Sequence, residues 1–332
     1  MVRILDPFLA VSWLLPLSSQ EVPDEYPRDW AVDILHYRFN ITLSDVSDEI
    51  LGQADITVLV TEDGVESVAL DLIGRGPGSE TGMNVLRVSR EEHPVQFVHS
   101  GNRVTITLDS SSRSEEQRSY SISYQGTPAD GLIIGTNKWG ERTFFGDNWP
   151  DRARHWIPTV DHVSDKATVE WLVTAPEDYE VVGTGTLVER SDLPDGTEFT
   201  HWASHVPIPT KVMVMGAARF AIRTTGYVEG IPIQAWVFPR DREAGFLDFA
   251  QAEKAVRFFH ERVGPFPYAK LANVQSKTRY GGMENAGNIF YSERAIRGDL
   301  SNEGLIVHEI AHQWFGDSVT ELDWNHIWLS EG

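Results

Sequence analysis

The segment His308-Glu309-Ile310-Ala311-His312, followed after 18 intervening residues (positions 313 to 330) by Glu331, constrains the fold of this 332-residue chain more than any other feature. Residues four apart lie one turn apart on the same face of an α-helix, so the imidazoles of His308 and His312 can converge on one point. Glu309 points to a neighbouring face. Two such histidines suit a divalent cation, with Glu309 close enough to act on a water and not needed as a ligand. Glu331 would complete a His₂Glu donor set and leave a fourth position open. The chain must therefore close with two helical segments that bring these three side chains to a common centre.

A five-residue pattern with three fixed positions also recurs in helices that do other work, so its surroundings matter. Leu305 to Phe315 is apolar apart from His308, Glu309, His312 and Gln313. Burying such a group without a partner costs on the order of 1 to 3 kcal/mol, and a metal supplies that partner. Asp299 or Ser301 is the expected N-cap, Gly316-Asp317 the expected stop, and Asp323 the expected cap of the helix carrying Glu331. His326, five residues before Glu331, lies roughly 140° around that helix and is expected to face away. The metzincin variant wants Gly three residues and His six residues after the second histidine, where this chain has Phe315 and Ser318.

Two more motifs accompany the histidines. Tyr280-Gly281-Gly282-Met283-Glu284-Asn285-Ala286-Gly287 precedes them and Trp328-Leu329-Ser330-Glu331-Gly332 follows. With His308 to Asp317 between, the chain resembles the aminopeptidase-N-like zinc metallopeptidases, the gluzincin group that includes leukotriene hydrolase. Their GxMEN signature reads here Gly281-Gly282-Met283-Glu284-Asn285, with Gly where many members have Ala. Asp147 to Trp156 resembles a stretch that bacterial members carry near the substrate's amino end. The likeness runs from about Asp33 to Gly332.

This resemblance implies an N-terminal antiparallel β saddle domain followed by the first part of a thermolysin-like zinc catalytic domain. It implies one Zn²⁺ per chain held by His308, His312 and Glu331, with Glu309 as general base. Peptides with a free N-terminus would be the substrates, bound through Gly281, Gly282, Met283, Glu284 and Asn285. Glu284 would pair with the α-ammonium, which an internal peptide bond lacks. Gly281 and Gly282 would let the substrate backbone approach a strand edge. Two alternatives stay open: a related zinc hydrolase that opens epoxides, and a non-catalytic peptide-binding scaffold. Relatives continue beyond the third ligand, and the tyrosine that assists at their oxyanion has no counterpart in this sequence. The stretch to Gly332 alone is therefore expected to be weakly active or inactive.

Composition narrows the partners. A formal charge of −21 opposes binding to nucleic-acid phosphates or anionic membranes. Without cysteine there are no disulfides, thiolate metal sites or thiol nucleophiles. Met1 to Gln20, with Arg3 and then a mostly apolar run from Pro7 to Leu17, reads as a signal peptide, so export to the periplasm or outside is expected. That run is too short for an integral membrane span, and no other stretch approaches the length needed. Oligomeric state is not legible.

Alternation marks strands along the first two-thirds: Leu35, Tyr37, Phe39, Ile41 and Leu43; Ala54 to Val60; Val104 to Leu108; Tyr120 to Tyr124; Val169 to Val173. We place an antiparallel β domain at residues 21–222 and the incomplete catalytic domain at 223–332. Arg242 to Val263 has helical spacing and ends at Gly264-Pro265. A short strand near Leu271 to Gln275 leads into the Gly281-Gly282 turn. Tyr280 and Phe290 either line the cleft or pack in the core, and the sequence supports both equally.

Overall fold

The computed structural model describes residues 27–332, and the expected signal segment Met1 to Gln20 lies outside the described residues. The alternating runs become strands because each buries one row of apolar side chains and leaves the other half-exposed. Eight strands form the largest sheet, in the spatial order Thr186–Asp192, Thr197–Pro209, Lys166–Pro176, Val32–Thr42, Ile50–Val60, Glu116–Thr127, Gly82–Arg90 and His93–Pro94. Its inner face carries Tyr37, Phe39, Ile56, Ile122 and Trp171, all buried, and Trp171 stacks on Trp156 at 5.4 Å.

Two details depart from the alternation. A register shift between Ile34 and His36 makes Leu35 a bulge, so Val32 and Ile34 are buried and Leu35 is half-exposed. Val32–Thr42 also pairs in parallel with Lys166–Pro176, the one parallel contact in this otherwise antiparallel sheet. Smaller sheets, Glu180–Gly183, Met215–Ala218, Arg142–Gly146 and Leu132–Thr136 in one and Ser67–Asp71, Arg103–Thr107 and Phe97–Ser100 in the other, complete this part.

A mixed five-stranded sheet follows, in the order Ala221–Val228, Ile231–Val237, Leu271–Ser276, Asn288–Ser292 and Gly282–Met283. Leu271–Ser276 is buried on both faces and pairs in parallel with both neighbours. The expected single helix over Arg242 to Val263 is two, Arg242–Phe249 and Ala252–Arg262. The break has a function in the fold. Fully buried Asp248, at the end of the first helix, accepts the backbone N–H groups of Arg297, Gly298 and Leu300 at 2.7, 2.8 and 3.1 Å and so fixes the loop that enters the histidine helix.

The histidine helix spans Glu303–His312. Its N-cap residue is Asn302, not Asp299 or Ser301. Asp299 instead accepts the Ser301 N–H in a turn before the helix, while the Asn302 side chain turns inward to the Ala295 carbonyl at 2.9 Å. The helix unwinds before Gly316, whose φ of +114° suits glycine, and Asp317 N–H returns to the His312 carbonyl. Asp323 caps a 3-10 turn over Trp324–His326, which continues into a one-turn helix over Trp328–Glu331. No helix among the described residues is long and apolar enough to cross a membrane.

Candidate functional site

The helix face predicted from the spacing brings His308 and His312 together, with their Nε2 atoms 3.1 Å apart and their rings nearly perpendicular. The Trp328–Glu331 helix delivers Glu331, whose Oε2 lies 3.7 Å from His312 Nε2, and one donor atom from each residue falls within 4.8 Å of the others. Donors held at about 2.0 to 2.1 Å from a tetrahedral ion stand roughly 3.4 Å apart, a value that the two shorter separations bracket. Backbone geometry also fixes the chemistry of one donor. His312 Nδ1 lies 3.1 Å from the Phe315 carbonyl, which accepts its N–H and leaves the Nε2 lone pair facing the centre. Desolvation and the neighbouring His312 lower the His308 pKa, favouring the neutral ring that a metal requires. The donor set fits a divalent cation.

Glu309 is buried on the next face of the helix, against the edge strand Gly282–Met283. Burial, then the charges of Glu284 and Glu331, push its carboxyl up to about 8. Glu284 is also buried and raised, with His312 opposing the shift. Trp149, Tyr280, Gly281, Gly282, Met283, Glu284, Leu305 and Ile327 line a cavity of about 450 Å³ with His308, Glu309, His312 and Glu331.

Two candidates from the sequence lie elsewhere. Asn285 is fully buried and absent from the cavity wall, because the chain turns inward there and Ala286 N–H reaches the Val212 carbonyl at 3.1 Å. Phe290 is core, packed edge-on against Phe145 at 5.4 Å. Tyr280 does line the cavity and meets Trp149, which brings the Asp147 to Trp156 stretch to the site. His326 turns to Asp323 at 3.0 Å, away from the donors.

Supporting residues escaped the sequence reading. Gln313, fully buried, donates to the Glu284 carbonyl at 2.8 Å and to Asp317 at 3.0 Å, and accepts the Gly287 N–H at 2.8 Å. It straps the GxMEN segment to the histidine helix. Lys211, from the β domain, meets Glu321 at 2.5 Å with both side chains buried, and Ser330 donates to the other Glu321 oxygen at 2.6 Å. That chain ties the residue next to Glu331 to the neighbouring domain. Gln313 stands directly after the motif and could have been suspected for that reason, whereas Lys211 lies 110 residues from its partner and gives no local signal.

Comparison with known proteins gives two family matches: the Peptidase M1 N-terminal domain over residues 34–212 and the Peptidase family M1 domain over residues 248–332. Leukotriene A-4 hydrolase of Xenopus laevis is 25% identical over 329 residues, covering 93% of this chain and 51% of its own length. Leucine aminopeptidase 2 of Saccharomyces cerevisiae is 32% identical over 202 residues, 59% of this chain and 28% of that protein. The chain thus spans about half the length of the first relative and less of the second. Among solved structures, an M1 zinc metallopeptidase from Deinococcus radiodurans superposes with a TM-score of 0.78 at 24% identity, covering 92% of this chain and 69% of that one. Yeast LTA4 hydrolase superposes with a TM-score of 0.79 at 21% identity, covering 96% and 51%. A Glu-to-Ala mutant of the Deinococcus protein has also been solved with a Tyr-Ser-Ala substrate bound.

Proposed function

This chain belongs to the peptidase M1 family, and from that premise we propose that the protein is a zinc aminopeptidase that hydrolyses the first peptide bond of peptides with a free N-terminus. The observation that carries this reading is a single cavity wall holding three convergent metal donors, a carboxylate beside them and a second carboxylate at the end of an open strand edge.

His308, His312 and Glu331 would hold the zinc. When bound, it supplies Lewis acidity toward the attacking water and the scissile carbonyl oxygen. Glu309 takes a proton from that water as it attacks and hands it to the departing amine. A carboxyl raised to about 8 by burial is a strong acceptor once ionised, and a divalent cation held by the neighbouring donors would favour its ionised form. Glu284 receives the α-ammonium, which selects the chain end. Gly282 lies on the last strand of its sheet with its N–H and C=O turned outward, so the peptide can lie along it with main-chain hydrogen bonds. Export through Met1 to Gln20 is part of the same proposal, and cell fractionation tests it.

The test uses paired peptides on the zinc-loaded full-length protein. Release of the first residue from Leu-Ala-Gln-amide, and none from its N-acetylated form, is the expected result. Equal cleavage of the two would remove the role given to Glu284, and no cleavage of either would remove the activity.

A further inference from the structure

We propose that a second cavity, next to the metal-centre cavity, is a carboxylate-binding subsite that selects peptides with an acidic group two to three residues beyond the scissile bond. The inference rests on the aminopeptidase reading for the direction of the bound peptide. This cavity has a volume of about 500 Å³ and shares Tyr280, Gly281 and Leu305 with the wall of the metal-side cavity, so the two adjoin.

The strand edge sets the path. Ser292 N–H donates to the Gly281 carbonyl at 3.0 Å, and Gly282 opposes Tyr291. In an antiparallel ladder successive residues alternate, so the N–H and C=O of Gly282 face away from that partner, toward the open side. Gly282–Met283 is the last strand of its sheet. A peptide whose amino group sits at Glu284 and whose first carbonyl lies by His308 and His312 must run against the direction of the edge strand. At about 3.3 Å per residue its second residue lies beside Gly282 and Gly281. Its third and fourth pass Tyr280 into the second cavity.

That cavity is basic in a chain of formal charge −21. Four cationic side chains, Lys277, Arg279, Arg294 and Arg297, line it with one carboxylate, Glu293. Glu293 neutralises Lys277 at 3.0 Å, and Asp130 pairs with Arg279. The other two form no ion pair among the described residues. The Arg297 guanidinium donates to the neutral Ser301 hydroxyl at 3.1 Å, and Asp299 feels its charge without forming an ion pair. Arg294 is exposed and has neither a hydrogen bond nor an ion pair among the described residues. A guanidinium with no partner among the described residues, Arg294, beside one held only by a neutral hydroxyl, Arg297, suits a carboxylate at the end of a strand-binding path. A side-chain carboxylate and the terminal carboxylate of a short peptide share that chemistry.

Four peptides separate these sources: Leu-Ala-Glu-Glu-amide, Leu-Ala-Gln-Gln-amide, Leu-Ala-Lys-Lys-amide and Leu-Ala-Gln with a free C-terminus. kcat/KM is measured on the zinc-loaded protein, and Kd by calorimetry on protein stripped with a chelator. The Glu peptide is expected to exceed the Gln peptide by roughly three- to tenfold at low salt in both readouts, with the Lys peptide weakest and the gap closing at high salt. A gain for the free-carboxylate tripeptide alone assigns the subsite to the chain terminus and also supports it. In Arg294→Glu/Arg297→Glu the Glu and Lys peptides should exchange order, a ratio taken within one preparation and so independent of its overall activity. Should that variant not fold, Arg294→Gln should reduce the Glu-over-Gln ratio. Equal Kd for all four peptides, or an unchanged order in the variants, overturns the subsite. Cleavage of leucine p-nitroanilide, which reaches no downstream residue, tests the aminopeptidase reading separately: if it is cleaved while the peptide order is flat, only the subsite fails. If nothing is cleaved, the Kd order on stripped protein still decides the subsite.

Discussion

The Glu309 side chain lies across the bare Cα of Gly282: a Cβ placed there would come within 2.5 Å of Glu309 Cγ and would collide with the carboxylate itself. The proposed general base is therefore seated in the space left by a missing side chain. An alanine methyl group there is one that the far end of a glutamate can avoid by swinging aside.

Gly282→Ala is expected to shift Glu309 and change kcat modestly. Gly282→Val, whose branched side chain has no room to share, should lower kcat by on the order of tenfold to a hundredfold. Zinc content should stay unchanged in both, because the donors do not touch residue 282. Turnover of leucine p-nitroanilide together with metal analysis checks this, and unchanged kcat in the Val variant would contradict it.

The Lys211–Glu321 pair is a second target. Both side chains are buried, so Lys211→Met leaves a carboxylate desolvated and without its cation. The expected loss is roughly 3 to 5 kcal/mol in urea unfolding. Lys211→Met/Glu321→Leu should recover much of that stability. Ser330 would still lack its acceptor beside Glu331, so zinc affinity in a competition titration should remain below wild type.

Lys270 gives a pH dependence. Its ammonium is buried, lies 3.2 Å from the Gly287 carbonyl and contacts Asn288 Oδ1, yet desolvation brings its pKa down to about 7. Between about pH 7 and 10 the unfolded chain holds a proton that the folded chain has released, so stability rises with pH there and is lowest below 7. The stability of Lys270→Met minus that of wild type should accordingly fall from pH 7.5 to 9.5, by up to about 1.4 kcal/mol per pH unit. Chemical unfolding at several pH values measures the slope, and a constant difference would contradict it.

If Glu284 captures the ammonium in the ground state as proposed, Glu284→Gln is expected to raise KM for free-amine peptides more than it lowers kcat. Discrimination against N-acetylated peptides should shrink in parallel. A variant that still rejects acetylated peptides as strongly as wild type would contradict this.

Much of this molecule was legible in its residues because single-element periodicities carried it. The strands around Tyr37, Ile56, Tyr120 and Trp171 followed from alternation, and the convergence of His308 and His312 from helical spacing. What was missed depends on contacts between distant segments. The bulge at Leu35 answers to register with its neighbour, and the parallel pairing of Val32–Thr42 with Lys166–Pro176 to topology. Asp248 ends a helix because a loop 49 to 52 residues away needs its carboxylate. Asn285 belongs to the signature by sequence but is drawn into the core by the backbone bond from Ala286 to Val212. Lys211 and Glu321 carry no local sign of each other.

The whole account depends on a cation shared by His308, His312 and Glu331 with Glu309 left free, and metal analysis of three proteins tests it most directly. Wild type should carry about one zinc per chain, His312→Ala close to none, and Glu309→Gln about one while turning over no peptide. Zinc retained in His312→Ala, or lost in Glu309→Gln, would contradict it.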